Sequence, residues 1–106
     1  MKGFGGMQQL MKQANQMQTR IKKLQEELAT QTFQGTSGGG GVTVTVTGNN
    51  LLQSVTINPD VFSAGDVEML QDMIVSATNE ALKASKETSE KEMSKITGGM
   101  GIPGLF

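Results

Sequence analysis

The chain contains no cysteine and no histidine. The absence of cysteine excludes disulfides and thiolate metal sites, and it fits a reducing compartment. Without histidine, the chain also lacks the commonest general base and the usual partner of serine and cysteine nucleophiles. The two residue types that ligate most protein-bound zinc are therefore missing. These absences argue against an enzyme and predict that no metal or cofactor is bound.

Aromatic residues and long apolar runs are also scarce. The 106 residues include four Phe but no Trp or Tyr, so the predicted core is aliphatic and rich in Met. A single domain over residues 1–106, with a core of modest size, is the expectation at this length. No run of 18 apolar residues occurs, which predicts no membrane partner, and the N-terminus lacks the apolar stretch of a signal peptide. The cytoplasm is the expected location.

What the sequence does contain is a long helix pattern near its start. Between residues 7 and 30, apolar residues recur at alternating intervals of three and four, as in the a and d positions of a heptad. This seam consists of Met7, Leu10, Ala14, Met17, Ile21, Leu24 and Leu28. The pattern predicts a helix of roughly 36 Å with one narrow apolar seam. Because so small a chain has little core to cover the seam, an oligomer is expected.

The middle of the chain predicts an antiparallel sheet. Residues 42–47 alternate Val and Thr without a break, which is typical of a strand with one buried face. Residues 32–34 are a possible short strand before it, and the glycine-rich residues 35–41 are expected to be a flexible connection. Residues 51–57 are the predicted return strand. Its predicted buried face consists of Leu51, Val55 and Ile57.

A second long helix is predicted after the sheet. Ser63 is the predicted N-cap, with Asp66 three residues later, and the helix is expected to run to about Lys95. Its seam is Val67, Leu70, Ile74, Ala77, Ala81 and Ala84, where alanine permits close approach of another backbone. The pairs Lys83–Glu87, Lys86–Glu90 and Glu87–Lys91 are expected to neutralise the lysines locally. Residues 1–6 and 98–106 are rich in glycine and expected to be flexible.

Charge is distributed unevenly along the chain. Residues 1–25 contain five cations and no acid, whereas all ten acids follow residue 25. The five cations are Lys2, Lys12, Arg20, Lys22 and Lys23. An acid-free stretch of this kind is compatible with an ordinary solvated helix face or with a face that binds a polyanion. Both interpretations stay open from composition alone.

Two glycine-rich segments do not form nucleotide-binding motifs. Residues 99–104 match G-x-G-x-x-G, but no strand precedes them and only two residues follow. The glycines at 38–41 are followed by Val42 and Thr43 instead of the Lys-Ser/Thr of a phosphate-binding loop. Neither segment indicates a small-molecule substrate.

Several segments match the pattern of a known family. They are residues 7–14 (MQQLMKQA), 35–46, 55–59 (VTINP), 69–75 (MLQDMIV) and 101–106 (GIPGLF). In these segments the chain resembles the YbaB/EbfC nucleoid-associated proteins of bacteria, and the resemblance covers essentially its whole length. Asn58 stands where an Asp is expected, a departure confined to a turn.

The resemblance implies both a fold and a function. The implied fold is α+β: a long helix, a three-stranded antiparallel sheet and a second long helix, assembled as a tweezer-like homodimer. The implied function is binding of double-stranded DNA on the nucleoid, with altered DNA conformation and effects on nucleoid organisation and gene regulation. The five cations are the candidate DNA-binding residues, with Lys2 assisting from the end of the chain. The alternative is a helical protein-interaction module with weak or incidental DNA binding, because a Met-rich surface adapts to varied partners.

Overall fold

The chain folds into a long helix, a three-stranded sheet, a short helix and a second long helix. The computed structural model describes the backbone of residues 2–99 and the side chains of residues 6–98. The elements are α1 (Lys2–Thr30), β1 (Thr32–Ser37), β2 (Val42–Thr47), β3 (Leu52–Ile57), α2 (Pro59–Ser63) and α3 (Val67–Gly99). The predicted α+β order of long helix, three strands and long helix is confirmed, and α2 is an element that was not predicted.

β2 is the central strand of the sheet. The strands are antiparallel and lie in the order β1-β2-β3. Alternation along β2 places Val42, Val44 and Val46 on one face, where they are completely buried in the core. α3 packs across this face of β1 and β2. The strict Val–Thr alternation therefore correctly predicts both the strand and its buried side.

β3 is displaced by a bulge. Val44 pairs with Val55, whereas Val46 pairs with Leu52. One extra residue of β3 therefore lies between the two pairs, and Leu52 instead of Leu51 shares a face with Val55. Leu51 precedes the strand, so its predicted place on that face is wrong.

The predicted buried face of β3 is confirmed only at Ile57, which packs against the core. Leu52 is 54% exposed and Val55 is 38% exposed, and Ile57 is half-buried. The physical reason is the position of α3, which lies mainly over β1 and β2. Among residues 6–98, most of the apolar face of this edge strand thus remains uncovered.

Close approach of α3 explains why β1 contains a glycine. β1 continues to Ser37, beyond the predicted end, so Gly35 lies in the strand instead of in a flexible connection. A Cβ atom at Gly35 would lie 2.1 Å from the carbonyl oxygen of Ala77 and 2.4 Å from the backbone nitrogen of Ala81. Both alanines are completely buried. The predicted role of alanine in the second seam is therefore confirmed at these two positions.

The seam of α1 is covered at only one end. Leu28 is buried in the core, and Met17, Ile21 and Leu24 are half-buried. At the other end, Leu10 is 66% exposed. α1 also begins at Lys2, before the predicted start at Met7. The N-terminal half of the seam therefore has no cover within residues 6–98.

The start of α3 differs from the prediction. Ser63 is the last residue of α2, so its assignment as the N-cap of the long helix is wrong. Asp66 takes that role, because its Oδ1 accepts a hydrogen bond from the Met69 N–H at 3.0 Å. Gly65 separates the two helices with a φ of +72°, which favours glycine. Asn58 caps α2, where its Oδ1 accepts the Asp60 N–H at 2.8 Å.

α3 continues to Gly99, four residues beyond the predicted end at Lys95. Residues 100–106, which include most of the tail predicted to be flexible, lie outside the described residues. Within residues 2–99, no helix is long and apolar enough to cross a bilayer.

Candidate nucleic-acid interface

The N-terminal half of α1 is an arm that stands free of the sheet. Every residue from Gly6 to Gln16 is exposed, and Met17 is the first half-buried residue of the helix. These eleven residues form about three turns, or roughly 16 Å of helix. The chain is correspondingly elongated, with extents of 76 × 23 × 16 Å. No other described element covers the arm, so another molecule can approach it from any side.

The predicted cations lie on this helix and are exposed. They are Lys12, Arg20, Lys22 and Lys23. Lys2 is the first residue of α1, and its side chain lies outside those described. Both ion pairs found in the described part of the chain belong to α3. The positive charge of α1 is thus not neutralised by ion pairs there.

The cations do not form a single line along the helix. Lys12 and Lys23 are eleven residues apart, which places them near the same direction and roughly 16 Å apart along the axis. Both lie on the side opposite the apolar seam. Arg20 and Lys22 are separated by about 200° around the axis, because each residue adds about 100°. They therefore lie on opposite flanks of the side that carries Lys12 and Lys23.

Amide side chains occupy the same side of α1 as Lys12. We call this side the polar face, and it consists of Gln8, Lys12, Asn15, Gln16, Thr19 and Lys23. A shallow depression along the helix is lined by Gln8, Met11, Lys12, Asn15, Gln16, Thr19 and Arg20. Thr19 Oγ1 donates a hydrogen bond to the Asn15 carbonyl oxygen at 2.9 Å. The side-chain amides of Gln8, Asn15 and Gln16 make no hydrogen bond to residues 6–98.

Sequence reasoning missed these amides as candidate site residues. A count of charges identifies the cations but gives no weight to Gln or Asn. The signal was nevertheless present, because Gln8, Asn15 and Gln16 occupy b and c positions of the same heptads that define the seam.

The lysines of α3 have different surroundings. Lys83 Nζ lies 3.9 Å from Glu87 Oε1, as predicted, and Lys95 Nζ lies 3.2 Å from Glu92 Oε1. The other two predicted pairs do not form in the described chain. α3 nevertheless carries six acids against four lysines, whereas α1 carries two acids against five cations. The more favourable helix for a polyanion is therefore α1.

Other exposed apolar side chains lie on and just before β3, on α2 and at the start of α3. We call this set the apolar edge, and it consists of Leu51, Leu52, Val55, Phe62 and Val67. Phe62 is 72% exposed and Val67 is 64% exposed. A small cavity between α2 and α3 is lined by Val61, Phe62, Gly65, Asp66, Val67 and Leu70. Exposed apolar side chains that lie together, as Phe62 and Val67 do at this cavity, are typical of a protein–protein interface.

Comparison with known proteins identifies the family. The profile of the YbaB/EbfC DNA-binding family matches residues 2–100. A nucleoid-associated protein of Acetivibrio thermocellus is 51% identical over 106 residues, which cover 98% of this chain and 94% of that protein. A nucleoid-associated protein of Ruminiclostridium cellulolyticum is 49% identical over 106 residues, covering 98% and 92%.

The fold has a counterpart among solved structures. The crystal structure of an uncharacterized protein from Helicobacter pylori superposes with a TM-score of 0.66 and 27% sequence identity, covering 79% of this chain and 88% of that chain. The family is one of nucleoid-associated DNA-binding proteins and not of enzymes, as the lack of histidine and cysteine predicts. The chain belongs to the YbaB/EbfC DNA-binding family.

Proposed function

We propose that the chain binds double-stranded DNA as a homodimer, mainly through contacts between phosphates and the cations of α1. The observation that carries this proposal is the exposed positive charge of α1. Lys12 lies on the free arm, the other three exposed cations follow the arm on the same helix, and none of them forms an ion pair within the described chain. The first 25 residues contain no acid. Lysine and arginine that contact phosphates release counterions, which gives salt-dependent affinity with little dependence on sequence.

The apolar edge is the proposed interface of the homodimer. β3 is a free edge of the sheet, and an uncovered edge strand with exposed apolar side chains is a site for association. A twofold interface is self-complementary, so one patch on each subunit is sufficient. Pairing through this surface doubles the number of arms and of cations. Two arms on one dimer would hold a duplex at two places, which supports altered DNA conformation, nucleoid organisation and gene regulation as the cellular role.

Sedimentation velocity of two single variants tests the dimer. Val55→Lys places a charge on the apolar edge, whereas Val75→Lys makes the same change at a residue of α3 that is 59% exposed and outside that edge. We expect Val55→Lys to raise the dissociation constant of the dimer about tenfold or more, because a charge is costly in a buried interface. Val75→Lys should sediment like the unmodified protein. A dimer that tolerates Val55→Lys would refute this interface.

DNA binding is tested by fluorescence anisotropy of a labelled duplex of about 30 bp at several salt concentrations. If four cations of each subunit engage phosphates, the slope of log affinity against log salt approaches −7, since each phosphate contributes about −0.9. The triple variant Arg20→Glu/Lys22→Glu/Lys23→Glu should abolish binding without unfolding the protein. The control Lys83→Glu/Lys86→Glu/Lys91→Glu makes the same charge change on α3. Equal losses in both variants, or unchanged affinity in the first, would contradict binding through α1.

A protein-interaction module is the second candidate function. It is favoured by one observation, the exposure of Met7, Leu10 and Met11 on the arm, each 63–66% exposed. These side chains lie on or beside the seam and away from the centre of the polar face. No binding of the duplex even at low salt would make this second function the preferred one. Salt-dependent binding that survives the triple change Met7→Gln/Leu10→Gln/Met11→Gln would leave DNA binding as the preferred one.

A further inference from the structure

We propose that the amide side chains of α1 read the edges of base pairs in the major groove of DNA. The inference rests on the DNA binding proposed above and adds a sequence preference to it. The residues concerned are Gln8, Asn15 and Gln16, which share the polar face with Lys12. Phosphate contacts would supply most of the affinity, and these amides would select among sequences.

The shape of the arm fits this role. An α-helix with its side chains is about 10–12 Å wide, and the major groove of B-DNA is about 12 Å wide. A helix can enter the groove only where no other element lies against it. From Gly6 to Gln16 every residue of α1 is exposed, so about three turns are free to enter. α3 offers no comparable stretch near its start, because its seam packs on the sheet.

The charges on α1 orient the polar face toward the floor of the groove. Arg20 and Lys22 lie on opposite flanks of this face, about 160° apart across it, on the part of α1 that follows the free stretch. The major groove is bordered on each side by the phosphates of one strand. When the two flanking cations contact these two backbones, the polar face between them is turned toward the base pairs. The apolar seam then faces away from the DNA.

The chemistry of the face favours adenine. A carboxamide donates through its NH₂ group and accepts through its oxygen, so Asn or Gln pairs bidentately with N6 and N7 of adenine. The amides of Gln8 and Asn15 have no hydrogen bond to residues 6–98, so no bond within the described chain must be broken first.

The spacing of the amides predicts the spacing of the preferred bases. Gln8 and Asn15 are seven residues apart, or about 10 Å along the helix axis. Base pairs of B-DNA rise about 3.4 Å each, so a helix lying along the groove contacts A·T pairs about three steps apart. The expected preference is therefore for two separated A·T pairs in each half of the binding site.

Selection from a random duplex library, followed by anisotropy titrations, tests the inference. The full chain is titrated with the selected duplex, with the same duplex carrying 7-deazaadenine, and with a version whose A·T pairs are replaced by G·C. The test variant is Gln8→Ala/Asn15→Ala. The control is Gln13→Ala/Gln18→Ala, which removes two amides from the same helix outside the polar face.

The base-reading role requires a specific set of results. The unmodified chain should bind the selected duplex at least about tenfold more tightly than its 7-deazaadenine and G·C versions, a typical effect of one bidentate contact. Gln8→Ala/Asn15→Ala should lose this preference while keeping the slope of log affinity against log salt. The control variant should keep both.

Two other results would overturn the inference while leaving DNA binding intact. One is equal affinity of the unmodified chain for all three duplexes. The other is loss of preference in the control variant as large as in the test variant. Failure of the unmodified chain to bind any duplex at low salt would instead overturn the proposed function itself, so the two failures are distinguishable.

Discussion

α1 and α3 carry the same kind of apolar seam, but in the part of the chain that the structure describes only the seam of α3 is largely covered. Ala77 and Ala81 of α3 are completely buried against the sheet. On α1 the seam reaches the core at Leu28, whereas Leu10 is 66% exposed. Periodicity identifies an amphipathic helix, but it does not tell whether the apolar side is covered by the same chain or by another molecule.

The two helices also differ in how many of their charged side chains are paired within the chain. The described ion pairs, Lys83–Glu87 and Glu92–Lys95, both lie on α3. The cations of α1 have no such partners among residues 6–98. Under the proposed function, α3 contributes mainly to the fold, whereas α1 supplies the DNA contacts. Four pairs of variants test this division of roles.

The largest contrast is expected along α1 itself. Leu28→Ala should lower the free energy of unfolding by about 3 kcal/mol, because it removes a buried side chain from the core. Leu10→Ala should lower it by less than about 0.5 kcal/mol, because this side chain is exposed. Urea denaturation at one fixed protein concentration measures both, since dimerisation makes stability depend on concentration. Equal losses would show that the arm is covered in the assembled protein.

The next contrast compares two glycines. Gly35→Ala should lower stability by about 2 kcal/mol, because the new Cβ would meet backbone atoms of Ala77 and Ala81 that cannot move independently. Gly6→Ala makes the same change on the arm, where, apart from the adjacent backbone of its own helix, no heavy atom of the described residues lies within 4 Å of the added group. This variant should raise stability by up to about 1 kcal/mol, since alanine is the better helix former. Thermal denaturation of both variants gives the signs directly, and destabilisation by Gly6→Ala would contradict a free arm.

A smaller contrast concerns the start of α3. Asp66→Ala should lower stability by about 1 kcal/mol, because the Met69 N–H loses its side-chain acceptor. Ser63→Ala should change stability by less than about 0.5 kcal/mol, because Ser63 ends α2 and caps no long helix. Urea denaturation compares the two variants under the conditions used for Leu28→Ala. A larger loss of stability for Ser63→Ala would indicate that Ser63 caps the long helix, as the sequence pattern predicts.

The features that depend on residues close together in the sequence are the ones that the sequence predicts correctly. The alternation of residues 42–47 and the seams of both helices are local patterns, and they correctly predict a strand and two helices. The N-cap was misplaced because Ser63 and Asp66 are both good caps, and only the positive φ of Gly65 separates α2 from α3.

The exposure of β3 could not be predicted from its sequence. Val55 and Ile57 have the composition of a buried strand, but burial depends on which strands α3 crosses. For the site, charge counting predicted that the cations lie on one exposed helix. It gave no weight to Gln8 and Asn15, although the heptad pattern places both on the side of Lys12, and the exposure of that side is known only from the structure. The contribution of each candidate cation to DNA binding stays a prediction.

The smallest contrast compares the removal of one positive charge from each long helix, which should change stability in opposite directions. Arg20 has one charged neighbour at three or four residues, Lys23, so Arg20→Gln should leave stability unchanged or raise it by a few tenths of a kcal/mol. Lys83→Gln should lower it by up to about 0.5 kcal/mol, because it removes the exposed pair with Glu87. DNA affinity should instead fall for Arg20→Gln and stay unchanged for Lys83→Gln, since only Arg20→Gln removes a proposed phosphate contact. In a dimer that change should reduce the salt slope by about 1.8, at about 0.9 per contact. If Lys83→Gln reduced the slope equally, α3 would share the DNA contacts and the division of roles between the two helices would fail.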